Sequence, residues 1–464
     1  MAPAVSPESA AITGDAGVRA TAITRIIALA GAPVTVYLAA AQLAPERQGL
    51  YFVAVNILAV AQLFEIGLGS TVVQFVSHDN TAFQSRASGG PGSAAPDGPS
   101  RELASVVWRW YAASAIALLL VVGAGGLWLF RNRTGLVSAE FAPGWLVFAA
   151  LIAGYVACVP AIATAEGAGH LISVQRMRSW QAVAILVALW TGLLMGNPLL
   201  AALLASLAQL LVTAVWRRAR RVPTDRRTDS GSGSRILDHV ANTQRVDVDV
   251  RVRFRTEQRR SAAFWLALWA GPQLLTPIAL RAAGGDAAGR LGVTLAIALA
   301  PLTLGAAWLH GRYPSFGTLV AAGHVREFDA LARRATAGAI GAFLLLSCAA
   351  VGVVTLLPGF LPALAARVLP LPSLIALLVG ALVSLLVQAM AGWLRAFRDE
   401  GIATPVVIGA VATVLASATA GAAGNVELIA AAYAAASGGI ALPVAAWHFL
   451  RTRRERLAGE TARS

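Results

Sequence analysis

The sequence predicts an all-α integral membrane protein with about twelve transmembrane helices, arranged as two lobes of six. Apolar runs of roughly twenty residues recur along all 464 residues. Each run has about the length needed to cross a hydrocarbon core of ~30 Å as a helix. The composition agrees, because 57% of the residues are hydrophobic and 13% are charged, whereas a typical soluble domain has about 25% charged residues.

Twelve apolar runs qualify as spans. Six precede a long arginine-rich segment and six follow it, which predicts the division into two lobes. In chain order the predicted spans are Thr21–Leu43, Leu50–Val76, Ala104–Phe130, Gly144–Ala165, Trp180–Met195, Pro198–Trp216, Ala262–Ala283, Leu291–Gly311, Thr336–Leu357, Leu371–Trp393, Ile402–Ala420 and Val426–His448.

Arginine is distributed unevenly between the loops. The chain has no lysine, and of its 37 basic residues twenty-nine lie in the two tails and the even-numbered loops, against five in the odd-numbered loops and three within predicted spans. Excess arginine in short loops marks the cytoplasmic side, so we expect both termini in the cytoplasm of a bacterial cell with the spans in its cytoplasmic membrane. The net charge of +14 is then attracted to anionic membrane lipid, and no nucleic-acid partner is expected.

The predicted domain boundaries follow the charge pattern. Residues 1–20 form a cytoplasmic tail, 21–216 the N-lobe with a flexible insert at 79–100, 217–261 a cytoplasmic linker, 262–450 the C-lobe and 451–464 a basic tail. Within the linker, VDVDVRVRFR from Val246 alternates apolar and polar residues. This alternation is typical of a strand or a membrane-surface segment. A lone strand is marginal, so partial disorder is the favoured alternative.

The two halves also resemble each other. AGAPVTVYLAAAQLAPERQGL from Ala30 aligns with AGPQLLTPIALRAAGGDAAGRL from Ala270, so that Pro33 matches Pro272 and Gly49 matches Gly289. Six spans per half give both halves the same orientation, which predicts a pseudo-two-fold axis along the membrane normal. A chance match between segments rich in alanine, glycine and leucine is the alternative.

Two stretches resemble the polysaccharide and lipid-linked oligosaccharide flippases of the multidrug/oligosaccharidyl-lipid/polysaccharide (MOP) exporter superfamily. The first is APERQGLYFVAVNILAVAQLFEIGLGSTVVQFVSH from Ala44, with its PE-x-x-G-x-Y turn and an acid before Gly-Leu-Gly. The second, 269–331, contains AGRLG, AWLHGRYPSFGTL and EFDAL. The sequence departs from the family pattern at Arg290, where glutamine is usual. The resemblance implies a transporter with a cationic cavity between its lobes.

Glu65 is the candidate ion-coupling residue. It lies fifteen residues past the start of its predicted span, about 22 Å into the bilayer at 1.5 Å per residue. An ionisable side chain at such depth is costly and is a functional hypothesis by default. Its side chain either exchanges a proton during transport or forms a structural hydrogen bond to a neighbouring helix.

Six further residues are candidates for binding the cargo. A lipid-linked glycan carries a pyrophosphate between its sugars and its polyprenol, and arginine's planar donors pair with phosphate oxygens. Arg25, Arg109 and Arg281, drawn from both lobes, are the arginines placed to supply them, although arginines near span ends can instead snorkel to the headgroups. The amides Gln42, Asn56 and Gln273 offer donors to a sugar, or hydrogen bonds between helices.

The sequence therefore predicts ion-coupled, alternating-access translocation of a polysaccharide precursor or lipid-linked oligosaccharide. The expected partners are that glycan, membrane lipids and glycan-assembly enzymes at the cytoplasmic face. No enzyme activity, cofactor or metal is expected, and ATP is not the direct fuel because a P-loop requires a lysine. A small-molecule, multidrug-type exporter of the same superfamily is the first alternative. A membrane glycan polymerase or ligase is the second, disfavoured by the short odd-numbered loops.

Overall fold

The computed structural model describes residues 30–62, 101–130, 141–168, 170–221, 248–397 and 401–461, together with a few isolated positions. This part of the chain is helical, with no strand among its residues. Ten of its helical segments are long and apolar enough to cross a membrane. Residues 30–42 and the helix that begins at Pro45 occupy the first two predicted spans, so the all-α membrane fold of about twelve helices is confirmed.

The helices are numbered here in chain order. They are α1 (residues 30–42), α2 (Pro45–Gln62), α3 (Arg101–Phe130), α4 (Phe141–Gly167), α5 (Leu171–Leu194), α6 (Pro198–Arg221), α7 (Val248–Gln273), α8 (Leu275–Ala283), α9 (Gly285–His310), α10 (Tyr313–Ala321), α11 (Val325–Phe360), α12 (Pro362–Ala365), α13 (Leu371–Ala396), α14 (Ala403–Ala422), α15 (Val426–Ala436) and, after a π-helical turn at Ser437–Ala441, α16 (Leu442–Thr461).

Each half of the chain packs around helices that are buried in its interior. In the N-lobe α4 packs on both α3 and α6, and in the C-lobe α13 packs on α9, α11 and α15. Aromatic rings fill the interior of the N-lobe, where Trp145 stacks among Phe130, Phe141 and Phe148. The indole nitrogen of Trp145 donates to the Val122 carbonyl at 2.9 Å, so this buried polar atom has its partner.

The two ends of the bundle differ in charge. The arginine-rich end is formed where α6 ends with Arg217–Arg221 and where α16 carries Arg451–Arg456. The arginine-poor end is formed where α2 and α9 begin. The alternating direction of the helices follows from the chain order, so every span runs between these two ends.

Two helices extend well beyond the apolar runs that predicted them. Helix α7 begins at Val248, inside the predicted 217–261 linker, and includes most of the alternating VDVDVRVRFR segment. Helix α11 begins at Val325, eleven residues before the predicted Thr336. Arginine, alanine and glutamate have high helix propensity, so a helix continues past the point at which its sequence ceases to be apolar. Hydropathy alone marks only the part of a helix that lies in hydrocarbon.

A polar cluster joins three C-lobe helices at the arginine-rich end. Asp329 on α11 accepts two hydrogen bonds from Arg453 on α16, at 2.9 and 3.0 Å. The same carboxylate accepts from the Trp393 indole of α13 at 3.2 Å. Charge-assisted bonds of this kind are stronger than neutral ones. The chain beyond residue 450, predicted as a basic tail, therefore begins as a helix attached to the C-lobe.

Candidate functional site at the contact between the lobes

The lobes meet where α2 of the N-lobe packs against α8 and α9 of the C-lobe. Glycines allow the helix backbones to approach closely. A Cβ on Gly49 would collide with the carbonyl oxygen of Gly285, and one on Gly285 would lie 2.6 Å from the Glu46 carbonyl oxygen. About two turns further along α9, a Cβ on Gly292 would collide with the ring of Phe52. Small residues at helix contacts are typical of membrane bundles.

A side-chain amide connects the lobes deeper in the bundle. Asn56 of α2 donates to the backbone carbonyl of Gln273 at 3.3 Å and to Thr276 Oγ1 at 3.2 Å. Asn56 lies eleven residues after Pro45, about 16 Å from the arginine-poor end at 1.5 Å per residue. This depth is close to the middle of a ~30 Å hydrocarbon core. The predicted cargo residues Asn56 and Gln273 thus lie together at the lobe contact.

The side chain of Gln273 supplies an unsatisfied acceptor at the same place. Its Oε1 atom is buried and has no hydrogen-bond partner among the residues that the structure describes. Leaving a buried amide oxygen unpaired costs about 1–3 kcal/mol. An acceptor of this kind can be satisfied by a donor on a bound molecule or by a rearrangement of the lobes.

A second set of contacts joins the lobes at the arginine-poor end. Gln48, which is buried, accepts from Arg367 Nη1 through its Oε1 atom at 3.4 Å. The guanidinium of Arg281 lies 5.5 Å from the centre of the Trp128 ring at the end of α3. A cation over an indole face contributes about 0.5–1 kcal/mol at an exposed site. Sequence reasoning did not identify Gln48 or Arg367, although Gln48 directly precedes the glycine that the repeat alignment singled out.

Arg290 lies on α9 next to the glycine contact. Its Nε atom is buried with no hydrogen-bond partner within the described chain. Its backbone carbonyl accepts from Thr294 Oγ1 at 2.7 Å. Arg290 therefore places a partly buried positive charge on α9, close to the lobe contact. The family comparison drew attention to this position because glutamine is usual there.

The predicted arginines do not meet at one point. Arg109 is exposed near the beginning of α3, and Arg281 is exposed near the end of α8. Arg281 contacts Trp128, nineteen residues beyond Arg109 on α3, so the two guanidiniums lie about 28 Å apart along the bundle. One pyrophosphate cannot contact both in this conformation. Gln42 is exposed at the end of α1, and Arg25 and Glu65 lie outside the described residues.

Other amides in the spans hold helices together. Gln181 of α5 donates to Thr213 Oγ1 of α6 at 2.7 Å, and to the Gln209 carbonyl at 3.4 Å. In the C-lobe the Tyr313 hydroxyl donates to the backbone carbonyl of Gln388 at 3.0 Å, whereas the Gln388 side-chain amide donates within its own helix, to the Ser384 carbonyl at 3.4 Å. Gln181 thus forms hydrogen bonds between helices. Its bonds stay within one lobe, unlike those of Asn56.

Comparison by sequence finds no relative, since no protein-family model and no curated protein matches the chain. Comparison by structure finds several. A multidrug resistance transporter of the MATE family, of the MOP superfamily and in an inward-facing conformation, superposes with a TM-score of 0.62 at 13% identity, covering 96% of this chain and 100% of that one. The lipid II flippase MurJ, in an inward closed conformation, gives 0.59 at 12% identity, with 93% and 87% covered.

A MATE transporter of Vibrio cholerae gives a TM-score of 0.56 at 12% identity, covering 97% of this chain and 98% of that one. The agreement extends over nearly the whole chain in all three cases, so it includes both lobes. At such low identity the agreement concerns the fold. The chain therefore has the fold of the MOP superfamily transporters, as its sequence resemblance implied.

Proposed function

We propose that this protein moves a polysaccharide precursor or lipid-linked oligosaccharide across the cytoplasmic membrane by ion-coupled alternating access. The observation that carries the proposal is the asymmetric contact between the lobes. Named contacts of α2 with α8 and α9 run from Gly49 and Gly285 at the arginine-poor end to Asn56 and Thr276 near mid-membrane. The arginine-rich end is cytoplasmic by the positive-inside rule. The conformation is thus one that is closed toward the outside.

The outer contact is suited to opening. Among the described residues it includes glycine backbone contacts, one asparagine with two hydrogen bonds, one long Gln48–Arg367 bond and the exposed Arg281–Trp128 contact. Polar bonds between membrane helices contribute about 0.6 kcal/mol on average and rarely exceed ~1.7 kcal/mol. A gradient or a bound cargo can supply that much differential free energy. Ion pairs at the opposite end, such as Arg178–Glu166 and Arg453–Asp329, tie helices within one lobe and do not oppose rocking.

The charge distribution favours an anionic cargo. Arg109 lies at the cytoplasmic end of the bundle, and Arg281 and the partly buried Arg290 lie toward the outside. Because Arg109 and Arg281 are about 28 Å apart, they would contact a pyrophosphate at successive stages, on entry and on release. Guanidinium groups match phosphate oxygens bidentately. A cavity lined by acidic residues would instead favour a cationic drug.

The second candidate is a multidrug-type exporter. It is favoured by the superposition with MATE transporters, one of which is described as a multidrug resistance protein. The two candidates share fold and mechanism, and they differ in the chemistry of the cargo. Arginine substitutions therefore separate them, since a cationic small molecule does not need guanidinium donors.

The test is transport by purified protein in proteoliposomes, with a lipid-linked oligosaccharide and a cationic dye as alternative cargoes. Arg281→Ala and Arg109→Ala should each reduce glycan transport about ten-fold or more, as expected for losing a charge-assisted contact of about 1.5–3 kcal/mol. Arg→Lys at the same positions should recover part of the activity, because lysine keeps the charge and loses the paired donors. Arg218→Ala, on the exposed end of α6, is the control.

Two outcomes would contradict the proposal. Full glycan transport by both alanine variants would show that neither guanidinium contacts the cargo. Transport of the dye but not of the glycan by the wild-type protein would place the multidrug-type exporter first. Complete rescue by lysine would mean that these arginines only snorkel to the headgroups.

A further inference from the structure

A long apolar groove runs along α5 of the N-lobe, and α6 lines it from Leu211 to Trp216. Its volume is ≈ 1080 Å³, at the upper limit of the ~300–1,000 Å³ of pockets for drug-sized ligands. Its walls include Trp180, Val187 and Val215, whose side chains are 64%, 54% and 67% exposed. The groove does not belong to the contact between the lobes. Its size and lining suit a long hydrocarbon chain.

The groove faces away from the interior of the N-lobe. On α5, Arg178 points toward α4, where it pairs with Glu166 at 2.8 Å. The groove residues Arg176 and Trp180 are each two positions from Arg178, so they lie about 160° around the helix from it. In a membrane-spanning protein, exposed apolar side chains on such a face contact lipid. The occupant therefore enters from the bilayer.

One end of the groove is basic. Arg176 and His170 line it at the arginine-rich end, and both are exposed. On the facing helix, the guanidinium of Arg220 lies 5.2 Å from the ring centre of Trp216. The Trp216 indole donates to Ser173 Oγ at 3.0 Å, which fixes the two helices at this mouth. Arg176 has no ion pair within the described chain, so its donors are available to a phosphate.

The length of the groove restricts the kind of lipid. From His170 to Ala188 the lining follows eighteen residues of α5, a rise of about 27 Å. One leaflet accounts for roughly half of a ~30 Å hydrocarbon core, so an ordinary acyl chain from the inner leaflet would fill only part of the groove. An isoprenoid chain long enough to cross both leaflets would fill all of it.

We propose that the α5–α6 groove binds a polyprenyl phosphate, with its isoprenoid chain along the groove and its phosphate between Arg176 and Arg220. The choice of an isoprenoid carrier rests on the proposed function, whereas the apolar wall and the basic mouth are independent of it. The groove then holds the tail of the carrier on the outside of the N-lobe while the glycan passes between the lobes. Such a tail site would keep the cargo attached throughout transport.

The test is native mass spectrometry of the full chain purified in detergent, with undecaprenyl phosphate, undecaprenol or dioleoyl phosphatidylglycerol as the probe. The wild-type protein should bind one undecaprenyl phosphate at least about ten-fold more tightly than phosphatidylglycerol, because the longer chain buries more apolar surface. Val187→Trp, which fills the end of the groove opposite the basic residues and so blocks the far part of a long chain, should weaken that binding by about ten-fold or more. Val411→Trp is the matched control, since Val411 on α14 is 52% exposed against 54% for Val187.

Arg176→Ala tests phosphate binding at the basic end of the groove without altering its apolar lining. It should weaken binding of undecaprenyl phosphate by about ten-fold and leave binding of undecaprenol unchanged. Equal affinity of the wild-type protein for phosphatidylglycerol, or unaltered binding by Val187→Trp, would overturn the groove assignment. Because binding is measured without transport, the two proposals fail separately. If the protein binds undecaprenyl phosphate but transports no glycan, the groove assignment stands and the proposed transport function is wrong. If it transports glycan but does not bind the probe, the transport function stands and the groove assignment is wrong.

Discussion

At the scale of single residues, Asn56 is the polar side chain that joins the lobes near the middle of the membrane. Asn56→Leu removes both donors to Gln273 and Thr276. Each lost bond should destabilise the outward-closed state by about 0.6–1.7 kcal/mol, which raises the open population several-fold. Spin labels at the exposed positions Asn197 and Ala423, one in each lobe at the arginine-poor end, should then report a larger fraction of long distances.

Gln181→Leu is the matched control for that measurement. It also removes an amide from a membrane helix, but its partner Thr213 belongs to the same lobe. The distance between Asn197 and Ala423 should therefore not change. An equal shift in both variants would mean that loosening any amide opens the bundle, and that Asn56 has no special part in the contact.

Glu65 is the residue that we expect to couple transport to an ion gradient. Glu65→Gln keeps the shape of the side chain and removes its ability to exchange a proton. If this carboxyl couples transport to a gradient, the variant should lose gradient-driven transport in proteoliposomes while its folding and abundance stay near those of the wild type. Wild-type transport by the variant across the whole pH range would make Glu65 a structural residue and put the ion site elsewhere.

At the scale of elements, the close approach of α2 and α9 depends on glycine. Gly285→Ala adds a Cβ that would lie 2.6 Å from the Glu46 carbonyl oxygen. Overpacking of this kind costs about 1–3 kcal/mol, and here the lobes can relieve it by separating. The variant should therefore favour the state that is open to the outside, as measured by the same pair of spin labels.

Gly352→Ala on α11 is the control, because a Cβ there meets nothing within 4 Å. Both changes replace a helical glycine by alanine, and the gain in helix propensity is at least as large at Gly352, in the interior of α11, as at Gly285, the first residue of α9. Only the change at the lobe contact should shift the distances. If Gly285→Ala leaves them unaltered while the protein remains folded, the glycine contact does not hold the closed state.

The sequence predicted elements better than contacts for a physical reason. Apolar length is a local property, so the run from Leu371 predicted α13 almost to the residue. The predicted start of the seventh span, Ala262, lies well after the first residue of α7, Val248, because the first turns of this helix are charged and hydropathy does not detect them. The lobe contact depends on which faces of two distant helices meet, which no local pattern contains. The alignment of Gly49 with Gly289 was the available signal, and both glycines lie at that contact.

The candidate arginines illustrate the same limit. Span direction alone separates Arg109 from Arg281, because the third and seventh spans run the same way and the two residues lie near opposite ends. A shared cavity can therefore not be inferred from the presence of arginine in both lobes. The pairing of Asn56 with Thr276 required the packing of α2 on α8. Depth along a helix is predictable from sequence, whereas the partner across the interface is not.

At the scale of the whole molecule, the bundle is electrically polarised along its axis. Arg217–Arg221 and Arg451–Arg456 lie at one end, and few arginines lie at the other. Each basic residue near an anionic membrane surface contributes about 1 kcal/mol of attraction. The anionic inner leaflet therefore favours one orientation of the whole protein strongly. The same charge distribution assigns the closed, arginine-poor end of the bundle to the outer side of the membrane.

The orientation is tested with single cysteines in a background in which Cys158 and Cys348 are replaced by alanine. Ala219→Cys lies at the arginine-rich end of α6, and Ala423→Cys lies in the turn after α14 at the opposite end; both positions are exposed. On intact cells a membrane-impermeant thiol reagent should label Ala423→Cys and leave Ala219→Cys unlabelled until the membrane is permeabilised. Labelling of Ala219→Cys on intact cells would invert the topology. The observed state would then be closed toward the cytoplasm.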